Sequence, residues 1–113
     1  MTGLNEYLLN DELFALFCTQ LKKDFEGAGL NGDFADRIPR QFDELALSLV
    51  RELEPITGKP SLAALLYRVD ISEQQIREYQ GQRQELSFVE VLSELIIKRV
   101  LQKIILKRKF SGS

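Results

Sequence analysis

The stretch FVEVLSELIIKRVLQKIILKRKF, residues 88–110, decides the fold, because it predicts one long helix whose apolar face changes sides. At about 100° per residue, its apolar positions form two separate groups. In the first half the group consists of Phe88, Val91, Leu92, Leu95 and Ile96. In the second half it lies on nearly the opposite side and consists of Ile97, Val100, Leu101, Ile104 and Ile105. A helix on the surface of one core keeps a single apolar face, so this helix needs neighbours on two sides.

Three arrangements would bury both groups. The helix could break near Ile97, it could run through the domain between different neighbours, or its second half could pack on another chain. The segment IIKRVLQKII contains no proline, glycine or capping residue, which argues against a break. Burial stabilises each aliphatic side chain by about 1.5–3 kcal/mol, so we do not expect the second group to face water. We predict packing on another chain, with a central helix in its own domain as the alternative.

The same helix is rich in basic residues, which we expect to rim the partner surface. No acidic residue follows Glu94, whereas residues 1–60 carry 6 Lys/Arg against 11 Asp/Glu. Such a rim favours an acidic partner, and the front half of the chain is itself a candidate. We therefore predict a non-enzymatic protein-interaction module or a small homo-oligomer that associates through this helix. The predicted partner-binding residues are Ile97, Val100, Leu101, Ile104, Ile105, Lys98, Lys103 and Lys107.

The rest of the sequence predicts further helices and no strand. Apolar residues recur with mostly three- and four-residue spacing over residues 9–25 and again over residues 42–53. With 113 residues, 44% hydrophobic and 28% charged, the chain has the size and composition of one globular domain. We expect an all-α fold, a compact bundle of about five helices with a long C-terminal helix. The helical domain is expected over residues 1–110 and a disordered tail over residues 111–113.

Local signals predict where several helices begin. Ser72 and Ser87 are each followed three residues later by a glutamine or a glutamate, which is the arrangement of a capping box. Ser61 is expected to cap the short apolar helix that follows it. Pro39 is expected in the first turn of a second helix, whose apolar pattern then runs over residues 42–53, because its missing N–H costs nothing there.

The chain lacks the residues that most enzymes and metal sites use. It contains no histidine, which removes the commonest general base and metal ligand. Its one cysteine, Cys18, lies in an apolar helical pattern and is expected in the core rather than as a nucleophile. The segment TGKPS, residues 57–61, has the Gly-Lys pair of a phosphate-binding loop without its first glycine or its hydroxyl residue. We expect no enzymatic activity, no cofactor, no metal and no small-molecule substrate.

Nucleic-acid binding is the alternative function, with two candidate regions. Residues 61–80 have features of a helix-turn-helix, because Ser72 caps a second helix with polar residues near its start. The turn lacks the usual glycine, and Glu73 and Glu78 would repel phosphates, which favours a plain helical hairpin. The basic residues of the last helix are the second region. The alternative nucleic-acid-binding residues are Gln74, Gln75, Arg77, Arg99, Lys103 and Lys107.

The sequence also bears on where the protein works. The N-terminus has no basic region followed by an unbroken apolar run, so it does not resemble a secretory signal. No stretch approaches the roughly 20 apolar residues that a membrane-spanning helix requires. A single cysteine fits a reducing compartment. We expect a cytoplasmic protein, and we do not expect binding to a membrane surface, because that would leave the acidic front half unexplained.

Overall fold

The computed structural model describes residues 2–111, which form an all-α bundle without a strand among them. The predicted fold class, with its long C-terminal helix, is confirmed. Two 3₁₀ turns, Asp33–Arg37 and Glu54–Ile56, lie in the connections on either side of the third helix. The helices are α1 (Thr2–Leu9), α2 (Asp11–Gly27), α3 (Phe42–Leu53), α4 (Pro60–Val69), α5 (Glu73–Gln82) and α6 (Phe88–Ser111).

The described residues form six helices rather than about five, because the N-terminus forms a short helix of its own. Asn10 separates α1 from α2, and its side-chain oxygen accepts a hydrogen bond from the Leu13 N–H at 3.0 Å. At the other end, α6 continues through Ser111, the first residue of the predicted disordered tail. The other two residues of that tail, Gly112 and Ser113, lie outside the described residues.

Both predicted capping boxes are present. The Gln75 N–H donates to the Ser72 hydroxyl at 3.2 Å, and the Gln75 side chain accepts from the Ser72 N–H at 2.8 Å. Ser87 and Glu90 form the same reciprocal pair at 3.2 and 2.8 Å at the start of α6. Two orphan N–H groups are thereby satisfied at each helix start. The sequence therefore fixes where α5 and α6 begin.

Two other predicted helix starts are wrong. Helix α3 begins only at Phe42, because the Gln41 side chain accepts from the Glu44 N–H at 3.0 Å and caps it there. Pro39 therefore precedes the helix instead of lying in its first turn. Helix α4 begins at Pro60, whose fixed φ and missing N–H suit the first helical position. Ser61 is consequently inside the helix and does not cap it.

Helix α6 runs through the centre of the bundle. Helices α2, α3, α4 and α5 all pack against it, so the chain itself covers most of both apolar groups of α6, although Phe88 is 43% exposed and Ile105 is half-buried. This is the central-helix alternative, and it replaces the expected packing of the second group on another chain. The physical reason is that α6 meets different helices along its length, so opposite faces become the inner one in its two halves. The buried members of the second group are Ile97, Val100, Leu101 and Ile104.

The connection between α4 and α5 is a tight turn that α6 holds in place. Asp70, at the C-terminal end of α4, adopts a left-handed conformation with φ of 70°. Glycine is the usual residue in this conformation, and the turn has none. Its carboxylate accepts a hydrogen bond from Arg99 of α6, with 2.7 Å between the two atoms. The following residue, Ile71, is buried in the core. Residues 61–80 therefore form a helical hairpin that is fastened to the central helix.

Candidate interaction surface

Three basic residues of α6 form ion pairs with acidic residues of the same chain, one of them Arg99 with Asp70. Lys103 lies 3.1 Å from Asp24, and Arg108 lies 2.9 Å from Glu12, both on α2. The acidic front half, expected to be one candidate complement of the basic stripe, thus supplies two of its ion pairs. These contacts reduce the net charge that the stripe offers to another molecule.

Lys103 joins three helices and has a structural role. Its ammonium group donates both to the buried carboxylate of Asp24 on α2 and to the backbone carbonyl of Arg68 at the end of α4, each at 3.1 Å. Asp24 also accepts from the Gln20 side chain at 3.0 Å. A buried carboxylate requires such partners, because burial of an unpaired charge is costly. Lys103 is therefore largely committed within the chain, although it was predicted to bind a partner.

An apolar surface that includes part of α6 stays open to solvent beside α1. We call it the α1–α6 face; it surrounds a groove of about 330 Å³. Two large side chains stand at its edge: Tyr7 is 44% exposed and Leu106 is 42% exposed. Lys109 lies one helical turn beyond Ile105 and extends the face. The residues that line the groove are Leu4, Tyr7, Lys98, Leu101, Gln102, Ile105 and Leu106.

A second groove lies on the other side of α6, against α2. Its volume is about 280 Å³ and its floor contains Ile104 and the 41%-exposed Leu16. Three cationic residues surround it, Lys23, Lys107 and Arg108, of which Arg108 is paired with Glu12. Ile104 and Lys107, both predicted partner-binding residues, thus face this groove, whereas Ile105 and Lys98 face the one beside α1.

The first half of α6 borders a third groove, which carries the opposite charge. We call it the acidic groove; it has a volume of about 250 Å³ and lies between α3 and the start of α6. Three carboxylates and one guanidinium line it, and Leu47 of α3 is 55% exposed at its edge. The sequence pattern does not reveal this groove, because its residues come from three separate segments. Its lining residues are Asp43, Ala46, Leu47, Val50, Arg83, Leu86, Glu90 and Glu94.

A buried polar cluster lies between the acidic groove and the α1–α6 face. The Tyr79 hydroxyl donates to the buried carboxylate of Glu94 at 2.5 Å, and Arg83 donates to the same oxygen at 3.0 Å. The Lys98 ammonium lies 4.4 Å from the centre of the Tyr79 ring. Burial and the Glu94 hydrogen bond raise the pKa of Tyr79 well above its ordinary value, so it stays protonated. Burial also lowers the pKa of Lys98.

This cluster corrects an expectation about Glu94, which the helical pattern places on a solvated face with Glu90. Glu94 is buried because α5 covers that side of α6, and its two hydrogen-bond donors are Tyr79 on α5 and Arg83 just after α5. A signal was present in the sequence: Tyr79 and Arg83 are one helical turn apart and can reach the same acceptor. The periodicity of α6 alone could not show it.

The residues proposed for nucleic-acid recognition mostly contact their own neighbours. Gln74 donates to Glu78 at 3.1 Å, and Gln75 completes the capping box with Ser72. Arg77 lies on an exposed face, 3.7 Å from Glu73. On α6, Arg99 and Lys103 are paired with Asp70 and Asp24, while Lys107 lines the groove against α2. The structure does not gather these six residues into one basic surface, so it adds no support for this alternative.

No constellation with obvious catalytic chemistry emerges from the described residues. Cys18 is half-buried, and burial raises the pKa of its thiol, which keeps the thiol protonated and poorly nucleophilic. Within residues 2–111, no group of three or more Cys, Asp or Glu side chains is arranged to hold a metal ion. The grooves that flank α6 are the features that bear on recognition in the described part of the chain.

Comparisons with known proteins give no indication of the function of this chain. No family model matches the chain, and no curated protein or solved structure is significantly similar to it. In the part of the chain that the structure describes, no helix combines the length and the hydropathy needed to cross a membrane.

Proposed function

We propose that this chain is a non-enzymatic protein-interaction module that associates with a second copy of itself through the α1–α6 face. One observation carries the proposal: Tyr7 and Leu106 are each more than two fifths exposed beside the same apolar groove. The binding surface therefore differs from the one that the sequence suggested. Of the predicted residues its groove keeps Lys98, Leu101 and Ile105, and it adds Gln102 and Leu106 together with two residues of α1.

Single exposed apolar side chains are ordinary on soluble proteins, but contiguous ones that flank a groove are not. The half-buried Leu4 and Ile105 line the groove with Tyr7 and Leu106, so apolar surface continues from α1 across to α6; Leu101 also lines the groove but is almost fully buried. A second chain that covered this surface would remove it from water at about 25 cal/mol per Å² of apolar area. Tyrosine is also enriched among the residues that dominate protein interfaces.

The first experiment is the solution mass, measured by light scattering behind size-exclusion chromatography at several concentrations. We expect a concentration-dependent rise from 13.0 kDa to at least twice that mass. Tyr7→Ser should weaken the association about fivefold or more, because truncation of an aromatic anchor residue costs about 1 kcal/mol or more.

Tyr67→Ser is the matched control, because Tyr67 is 87% exposed on α4 and does not line the groove. It should leave the association constant unchanged. A mass of 13.0 kDa at every concentration would overturn the proposal, and so would equal association of the Tyr7→Ser and Tyr67→Ser variants. Thermal unfolding followed by circular dichroism checks that each variant is folded.

A further inference from the structure

We infer that the association is head to tail: the α1–α6 face of one chain docks into the acidic groove of a second copy. This inference rests on the proposed function and names the surface that the face recognises. Both surfaces are present on every chain, one beside each half of α6. Charge, exposed apolar residues and the distance between the two surfaces all favour this arrangement.

The charge of the α1–α6 face disfavours contact with the same face of another chain. Lys98 lines its groove and the exposed Lys109 extends it, and neither belongs to an ion pair within the described residues. A symmetric dimer would bring the same patch of both chains together. The two exposed Lys109 side chains would then lie beside one apolar contact, with the two Lys98 ammonium groups close by against their own Tyr79 rings, and like charges across an interface are unfavourable.

The acidic groove has the complementary charge. Asp43, Glu90 and Glu94 line it, and Arg83 is its one basic residue, so its lining carries a net charge of −2. Arg83 is already shared between Glu94 and Glu85, at 3.0 and 2.8 Å. Asp43 forms no ion pair in the described part of the chain. The groove can therefore receive the ammonium groups of the α1–α6 face.

Apolar side chains on both surfaces would be covered together. Leu47 is 55% exposed at the edge of the acidic groove, and Ala46, Val50 and Leu86 line it. On the other surface Tyr7 and Leu106 stand at the edge of a groove of similar size. Each surface thus offers an apolar centre with charged groups around it, the usual anatomy of a protein interface.

A chain cannot fill its own acidic groove. Glu90 in the groove and Leu106 on the face belong to the same continuous helix, 16 residues apart. At 1.5 Å per residue they are separated by about 24 Å. The occupant must therefore come from another molecule. A head-to-tail contact leaves one face and one groove open on every assembly, so species larger than a dimer should form unless a ring closes.

Two variants test this geometry without adding any charge. The face variant carries Tyr7→Ser and Leu106→Ser, and the groove variant carries Leu47→Ser and Asp43→Asn. All four side chains are exposed, so the fold should tolerate their change. We expect each variant alone to have the 13.0 kDa mass of one chain. An equimolar mixture should give a 1:1 complex of twice that mass, because one intact face then meets one intact groove.

The outcomes separate this inference from the proposed function. If the groove variant alone associates as strongly as the unmodified chain, the contact is symmetric, and the head-to-tail inference is overturned while the proposed function stands. If the unmodified chain is monomeric, both fail. If the mixture of variants stays at 13.0 kDa, head-to-tail docking is likewise overturned. Raising the salt concentration should weaken the unmodified assembly, because opposite charges are screened.

The unmodified chain provides a check that needs no substitution. Its mass should rise beyond that of a dimer as its concentration increases, and the face variant should cap this growth when it is added in excess. A mass that reaches a plateau at twice 13.0 kDa would contradict open head-to-tail assembly. A Tyr67→Ser variant added in the same excess should leave the growth unchanged, because Tyr67 lies outside both surfaces.

Discussion

The two halves of α6 have nearly the same apolar content but lie in different surroundings. The first half meets α3 and α5, and its buried stretch Val91–Glu94 includes a serine and a glutamate. The second half meets α1, α2 and α4, and its buried residues are aliphatic, with ion pairs at the margin. The helices that pack against a helix therefore determine which of its faces is buried. An apolar face that changes sides along a helix therefore indicates different neighbouring helices, and it need not indicate an interface with another chain.

The largest effect should come from the inner side of the second half. Leu101 is 1% exposed, whereas Leu106, five residues later, is 42% exposed. Leu101→Ala should lower the free energy of unfolding by about 2–5 kcal/mol, because it leaves a cavity in the core. Leu106→Ala should lower it by about 0.5 kcal/mol or less. Urea unfolding of both variants at low protein concentration measures the difference, and equal losses would contradict the central position of α6.

The polar contact of the first half should give the next largest effect. Tyr79→Phe removes the hydrogen bond to the buried Glu94 carboxylate and should cost about 2 kcal/mol at neutral pH. Tyr67→Phe, at an exposed position, should cost nothing measurable. Urea unfolding at pH 7 compares the two variants, and a loss shared equally by both would contradict the role of this contact.

The same tyrosine predicts a dependence on pH. Its pKa is raised in the folded state from the ordinary value of 10.0, so the folded state holds the phenol proton more tightly than the unfolded state. This stabilisation is complete below pH 10 and is lost as the pH rises through the folded-state pKa. The difference in unfolding free energy between the unmodified chain and Tyr79→Phe should therefore shrink at alkaline pH. A difference that stays constant up to pH 11 would contradict the raised pKa.

The smallest of these effects should appear at the start of the helix. Ser87→Ala removes the hydroxyl that caps α6 and should cost about 1 kcal/mol of unfolding free energy. Ser61→Ala is the matched control, because Ser61 lies inside α4 and caps nothing there. It should be neutral or slightly stabilising, since alanine is the better helix former. If Ser61→Ala costs as much as Ser87→Ala, the start of α4 has been misplaced.

Much of the fold could be predicted from local features of the sequence. The boxes at Ser72 and Ser87 depend on residues three apart, and such signals act whatever the rest of the chain does. The predictions for Pro39 and Ser61 were wrong because a residue within two positions of each one sets the helix start instead. Gln41 caps α3, and Pro60 takes the first position of α4. The presence of these helices was therefore easier to predict than the residue at which each one begins.

The candidate surfaces could be predicted only in part. Ile105 and Lys98 were identified from the pattern of α6, whereas Tyr7 and Leu47 become relevant only when α1 and α3 are in place. Burial of Glu94 likewise depends on α5, a separate helix whose position the periodicity of α6 does not reveal. A sequence shows which residues share a helix face, but it does not show which helix covers that face. That information comes from tertiary packing.

The central position of α6 also has a consequence for synthesis on the ribosome. Its 24 residues span about 36 Å, close to the longest dimension of the molecule, 40 Å, and it follows the other described helices along the chain. Helices α2 to α5 emerge first and keep their apolar sides uncovered until α6 has been made. The nascent chain should therefore remain sensitive to proteases and chaperones late into translation, and then become resistant in a single step.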